Sequence, residues 1–158
     1  MFRGLNMGKI TIIGRNQAKP GYIFLFNQPL TLCFKCKYYK VCMEGLEAGR
    51  LYIIKKVLKK SIEECKIHFN GGKLVEVEEA NIKACIYSKE AILEAIMDFH
   101  PIECKNILCK NYVKCAPLGL RNGDKCKIIE LINKKVTCPL GFPLAFVRLQ
   151  RLSFHTAQ

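Results

Sequence analysis

Ten cysteines stand in 158 residues, and eight of them fall into two sets with metal-ligand spacing. Cys33, Cys36, Cys42 and Cys65 read C-x2-C-x5-C-x22-C, and Cys104, Cys109, Cys115 and Cys138 read C-x4-C-x5-C-x22-C. The thiolate is the ligating form, and four thiolates close a compact tetrahedral shell around a soft cation. Zinc sites most often pair two short knuckles. Here three cysteines lie close together and the fourth is remote, a pattern common in iron–sulphur ligation. A cluster is also wider than one ion, which suits the x4 and x5 gaps. Two iron–sulphur clusters, [4Fe–4S] favoured, are therefore the first reading, and two Zn2+ ions are the alternative. Either centre can be purely structural or can serve electron transfer or redox sensing.

The spacing constrains what must hold these side chains. Cys33 and Cys36 share one side of a helical turn or knuckle. Cys36 and Cys42 are six apart, roughly 240° around an ideal helix, so a bend must intervene. Cys65 has to return from across a strand.

The second set repeats the first. Cys36, Cys42 and Cys65 recur 73 residues later as Cys109, Cys115 and Cys138. Only the leading cysteine departs from that period. After each triplet comes a glycine and an apolar run, Gly49–Ile54 and Gly123–Ile129, offset by 74. Strands are predicted at Lys9–Gly14, Gly21–Phe26, Arg50–Val57, Lys73–Val77, Lys127–Ile132 and Leu144–Leu149 from their alternation and their Ile, Val and Phe content. Pro20-Gly21, Asn70-Gly71-Gly72 and Asn122-Gly123-Asp124 read as turns. Ser88–Phe99 is the one predicted helix: Ser88 as cap, with Ala91, Ile92, Ala95, Ile96 and Phe99 at helical spacing, ended by Pro101. The same stretch is short and apolar enough to be a strand. The expected fold is a β-rich α+β domain of two pseudo-repeated cysteine modules, about 30–80 and 101–150, packed as a single domain over 8–150. Residues 1–7 read as a start-site extension and 151–158 as a tail.

Hydrophobic residues make up 50% of the chain, enough for a packed interior. No apolar run reaches the roughly 18 residues of a membrane span, and no signal-peptide pattern is present. The expectation is a soluble cytoplasmic protein without a membrane partner. In a reducing compartment this cysteine density favours metal over disulphides.

The net charge is +13. Four thiolates on Zn2+ or on a [4Fe–4S]2+ core leave about −2 per site, so two loaded sites bring the chain to about +9. The remaining excess admits nucleic acid, RNA rather than DNA, as a partner in place of a redox protein. Lys35, Lys37, Tyr39 and Lys40, with Lys110, Tyr112 and Lys114, combine cations with aromatic faces for phosphate contact and base stacking.

Cys85 and Cys126 lie outside both sets and read as small buried hydrophobes. His68, three residues after Cys65, reads as a surface or core histidine rather than a replacement ligand. His100 and His155 show no partner. Cys33-Phe34-Lys35-Cys36 lacks the βαβ context of a thiol-redox pair. No phosphate loop, G-x-S-x-G elbow or carboxylate pair is visible, so no hydrolytic or transferase chemistry is assigned. Glu76, Glu78 and Glu79 read as the solvated face and end of a strand.

Several of these segments together resemble an uncharacterised archaeal family, uncharacterised protein family 0179, from Ile10 to about Leu149. They are Cys33-x2-Cys36-x5-Cys42, Gly49-Arg50-x-Tyr52-x-Ile54, Val75-Glu76-Val77-Glu78-Glu79-Ala80, Pro101-Ile102-Glu103-Cys104, Gly119-Leu120, Gly123-Asp124-Lys125 and Cys138-Pro139-x-Gly141. The resemblance implies two iron–sulphur redox centres and names no substrate. The chain departs from the family pattern at Lys66, where proline is usual after the cysteine, and in Ser153–Gln158.

Overall fold

Eight strands carry the regular structure of residues 8–153, the part of the chain described by the computed structural model. The proposed extension 1–7 and most of the tail, 154–158, lie outside the described residues. Two compact units divide the rest, 8–80 and 81–153. Each is built on one four-stranded antiparallel sheet.

In the first unit, β1 (Lys9–Gly14), β2 (Ile23–Leu25), β3 (Leu51–Ile62) and β4 (Gly72–Glu79) lie in the order β1-β4-β3-β2. In the second, β5 (Ile82–Tyr87), β6 (Ile96–Asp98), β7 (Lys125–Val136) and β8 (Leu144–Arg151) lie in the order β5-β8-β7-β6. Strand for strand the two orders are the same, so the repeat reaches back well beyond the cysteine segments. Pairing confirms the alignment: Thr11 faces Val75 where Ala84 faces Val147, and Lys9 faces Val77 where Ile82 faces Leu149. Both long central strands slip register at an equivalent place, between Ile54 and Lys56 and between Ile128 and Glu130, and again further along. Such irregularities bend a strand.

The expected α+β class is corrected by this arrangement to a mostly β protein. One four-residue α-turn, α1 (Tyr112–Cys115), and short 3-10 and π turns are the helical structure among the described residues. The predicted helix Ser88–Phe99 is instead a 3-10 turn at Ser88–Glu90, a bend, and β6. Its apolar stripe is not buried: Ile92 and Ile96 are 62% and 55% exposed, and Phe99 alone is fully inside. A stripe without a surface to cover does not make a helix worth forming. Pairing with β7 supplies what the local pattern lacks.

The loops entering the central strands match bond for bond. Phe26 N–H donates to Arg50 O and Gly49 N–H to Phe26 O; Phe99 N–H donates to Asp124 O and Gly123 N–H to Phe99 O. Gly49 and Gly123 sit at φ 83° and 87°, where a side chain is disfavoured. Nearby, Gly21 at φ 85° corresponds to Glu94 at φ 67°, with Gly21 N–H and Glu94 N–H donating to Ile54 O and Ile128 O. A Cβ at Gly123 meets open space, so Gly123→Ala tests backbone strain alone. It is expected to destabilise by about 1–2 kcal/mol. Glu94→Gly is expected to be neutral or stabilising by up to about 1 kcal/mol, despite losing the Glu94–Lys127 ion pair, which is worth little at the surface. Urea denaturation followed by circular dichroism reads both.

The cores follow the strand alternation. In the first unit Ile13, Phe26, Leu46, Tyr52, Ile54, Val75 and Val77 pack together, while Glu76, Glu78 and Glu79 keep partial exposure. The Gly49-Arg50-x-Tyr52 motif is a structural one: Arg50 and Tyr52 are buried, and Tyr52 Oη accepts a 2.8 Å bond from Glu47 N–H. In the second unit Cys85, Ile102, Cys115 and Leu144 are the buried centre, with Cys104, Cys138, Phe142 and Phe146 packed around them.

Candidate metal centres

Each cysteine set is assembled from two loops of its own sheet. The β2–β3 loop carries Cys33 in a 3-10 turn (Thr31–Lys35), then Cys36, then Cys42 in a π turn (Lys40–Glu44). The β3–β4 loop brings Cys65. The long first loop lies back against β1: Thr11 Oγ1 donates to Cys42 O at 2.7 Å, and the Cys42 thiol reaches Ile12 O at 3.8 Å. The β6–β7 loop carries Cys104, Cys109 and, in α1, Cys115. Ile102 N–H closes it by donating to Cys115 O at 3.1 Å. Cys138 enters from the β7–β8 loop, whose turn is closed by Gly141 N–H on Cys138 O at 2.9 Å, with Gly141 at φ 76°.

Cys33, Cys36, Cys42 and Cys65 all line one cavity of about 490 Å3, together with Ile12, Ile62, Tyr38 and Tyr39. Lys35, Lys37, Lys66, Glu63 and Glu64 also contribute to its wall. Cys104, Cys109, Cys115 and Cys138 all line a second, with Ile102, Tyr112, Phe142 and Leu144. This one is nearly closed, about 20 Å3, room for roughly one water molecule. Each quartet thus borders a common space. Among the described residues, however, no three His, Cys, Asp or Glu side chains stand at the spacing of ligands to a single ion. None of the ten cysteines is in a disulphide.

The thiols influence one another. Burial pushes Cys42 up to about 11, and the charges of Cys65, Cys33 and Cys36 add to the shift. Burial likewise pushes Cys115 up to about 12, with Cys85, Cys104 and Cys109 contributing. Metal-free Cys42 and Cys115 are therefore neutral thiols at physiological pH, and a metal that took them as ligands would have to expel their protons. A thiol raised from 9.0 to about 11 carries about a hundred-fold less thiolate at neutral pH, so Cys42 is expected to alkylate correspondingly slowly in the metal-free chain. The sign for stability follows: the folded state holds these protons more tightly than the unfolded one. Their contribution is complete below about pH 9 and is lost as pH rises through 11 to 12. The thermal midpoint of the metal-free protein is expected to fall above pH 9, measured by circular dichroism across that range.

His68, read from the sequence as a surface or core histidine, stands beside Cys65. Its Nδ1 is 3.2 Å from Cys65 Sγ, and burial lowers its pKa, keeping the ring neutral. Cys126 and Cys85 are both fully buried, as small hydrophobes would be. Cys85, though, packs directly on Cys115. Nothing in the cysteine spacing marks it; only the alignment of β5 with β1 does. His100 pairs with Asn122 at 2.6 Å, and His155 lies outside the described residues.

The basic and aromatic candidates divide. Lys35, Lys37, Lys40 and Lys110 are exposed; Tyr39, Tyr112 and Lys114 are half-buried. Tyr39 stacks near Phe34 at 5.4 Å, Lys37 lies over Tyr38, and Lys114 lies over Phe146 at 4.6 Å. No helix among the described residues is long and apolar enough to cross a membrane.

Comparison with known proteins agrees with the resemblance in the sequence. The model of an uncharacterised protein family, UPF0179, matches residues 9–149. A UPF0179 protein of Methanocaldococcus jannaschii is 37% identical over 133 residues, 84% of this chain and 87% of its own length. One of Methanosarcina barkeri is 36% identical over 142 residues, covering 89% and 95%. One of Methanothermobacter thermautotrophicus is 36% identical over 145 residues, covering 90% and 97%. No solved structure matches. Its fold repeated in two halves and its paired cysteine pockets are thus features of a member of family UPF0179, to which this chain belongs.

Proposed function

We propose that the protein carries two iron–sulphur clusters, one per unit, used for electron transfer or redox sensing. The observation that supports this most is that each four-cysteine set, split between two loops, lines a single pocket. Cys33, Cys36, Cys42 and Cys65 would hold one cluster, and Cys104, Cys109, Cys115 and Cys138 the other. A cluster supplies a site for one-electron exchange. What the chain itself contributes is burial, which lowers the local dielectric, and donors to the sulphurs, such as Asn106 N–H on Cys104 Sγ at 3.4 Å. The first cavity has room for a cluster. The second must open at the Cys104–Cys115 loop to admit one, whereas a single Zn2+ asks for less movement.

Anaerobic purification decides the matter. The expected product is brown, bleaches with dithionite, and contains about four iron and four sulphide per centre. A colourless protein with stoichiometric zinc rejects the cluster reading and leaves the two-zinc alternative.

A second reading rests on the exposed Lys35, Lys37, Lys40 and Lys110 beside Tyr39 and Tyr112: a nucleic-acid-binding module whose metals are structural. It requires RNA binding that weakens steeply with salt. Unchanged migration of RNA with the loaded protein at low salt removes it.

A further inference from the structure

The turn that leads into Cys109 is unusual for one facing solvent. Cys109 N–H donates to Asn106 O at 3.1 Å, which makes Ile107 and Leu108 its two central residues. Those places ordinarily take glycine, proline, asparagine, aspartate or serine. Here they hold two large aliphatic side chains, 68% and 92% exposed. Val113, in α1, and Leu140, in the β7–β8 loop, are exposed too. Leu140 borders the same small cavity as Asn106, Cys109 and Tyr112, so these side chains gather about one place. Single exposed apolar residues are common, whereas a group of them marks a contact surface.

The charges around this group are all of one sign. Residues 104–118 and 133–143, the two segments that meet there, contain Lys105, Lys110, Lys114, Lys134 and Lys135 and no carboxylate. All but Lys114 are exposed. The first unit repeats the device within itself. Cys36 N–H closes the equivalent turn on Cys33 O at 3.0 Å, with exposed Phe34 at the place of Ile107. Residues 30–43 around it likewise hold lysines and no carboxylate.

Three kinds of partner carry the complementary charge: nucleic acid, an acidic protein and an anionic lipid surface. Ile107, Leu108 and Val113 have no ring on which a base could stack. Protein interfaces concentrate Trp, Tyr, Met and Arg and are poor in Lys, while this surface is aliphatic and lysine-rich. Aliphatic tips ringed by lysine suit a membrane surface. The tips enter the boundary between headgroups and acyl chains, and the ammonium groups meet anionic headgroups. A turn with open backbone groups cannot cross hydrocarbon, so such a contact is superficial. It needs none of the long apolar run whose absence underlies the expectation of no membrane partner.

We propose that the Ile107–Leu108 turn of the second unit docks on anionic lipid, inserting both side chains at headgroup level with Lys105 and Lys110 on the phosphates. The contact is independent of which metal fills either cysteine set.

Flotation of the anaerobically purified full chain with vesicles tests it. The chain is expected to float with vesicles of equal parts phosphatidylglycerol and phosphatidylcholine at low salt, and not with phosphatidylcholine alone. Ile107→Ser combined with Leu108→Ser should weaken binding about ten-fold or more, and Lys105→Gln or Lys110→Gln about five-fold each. All of these side chains are exposed, so the variants keep the fold, which circular dichroism checks. The chain has no tryptophan. Leu108→Trp is therefore a single reporter, whose emission is expected to shift to the blue on the mixed vesicles. No flotation, flotation unchanged in the double serine variant, or an unshifted Leu108→Trp emission overturns the proposal. Binding of RNA or of polyglutamate in place of the vesicles overturns it too, in favour of a nucleic acid or an acidic protein.

Discussion

Replacing Cys109 by alanine is expected to remove about half of the bound iron and sulphide and to leave the first centre's spectrum intact. The reason is the architecture of the ligand sets. Cys109 shares its pocket with Cys104, Cys115 and Cys138, all from the unit 81–153. No cysteine of the other unit lines that pocket. A four-ligand site that loses one thiolate loses much of its affinity, because the remaining three leave the metal open to solvent and to chelators. Cys36→Ala should do the same to the first centre, and the double variant should carry neither. Metal binding of this class is commonly worth about 10 kcal/mol or more when it is coupled to folding. The loops bearing the cysteines hold few regular elements of their own, so under the proposed function they would depend on it. The Cys109→Ala protein is therefore also expected to show faster proteolysis within 104–115 than within 33–42. Iron and sulphide analysis checks the first claim and limited proteolysis the second. Equal losses from both centres would contradict the separation of the sites.

Phe99→Ala is the second large effect, about 3–5 kcal/mol of destabilisation. Phe99 is completely buried, and its backbone makes the two bonds that tie the start of β7 to the loop before it, to Asp124 O and from Gly123 N–H. Truncation leaves a ring-sized cavity in a segment whose backbone cannot easily relax. Phe26→Ala, at the equivalent place, is expected to cost toward the lower end of that range, since Phe26 keeps 9% exposure. Leu108, 92% exposed, is the control: Leu108→Ala should stay within about 0.5 kcal/mol. Urea midpoints of the three variants, monitored by far-ultraviolet circular dichroism, test the ranking.

Much of this was legible in the chain itself. The strand β1 falls on its predicted residues, and β3, β4, β7 and β8 were placed correctly with longer ends than their local patterns showed. Those strands alternate apolar and polar residues because one face is buried, so the pattern is written locally. The cysteine spacings were legible too, and each quartet they mark lines one pocket.

Other features could not be read that way. Ile82–Tyr87 and Ile96–Asp98 become strands by pairing with β8 and β7, partners far away in sequence, and Ser88–Phe99 carries a helical stripe that nothing covers. The sequence alone determined which residues could ligate and that they come twice. Tertiary structure decided that the repeat includes β5 and β6, that each quartet opens on its own pocket, and that Cys85 lies under Cys115 where Ile12 lies under Cys42. Hydrogen bonding between distant strands sets those relations, and no window of neighbouring residues contains both partners.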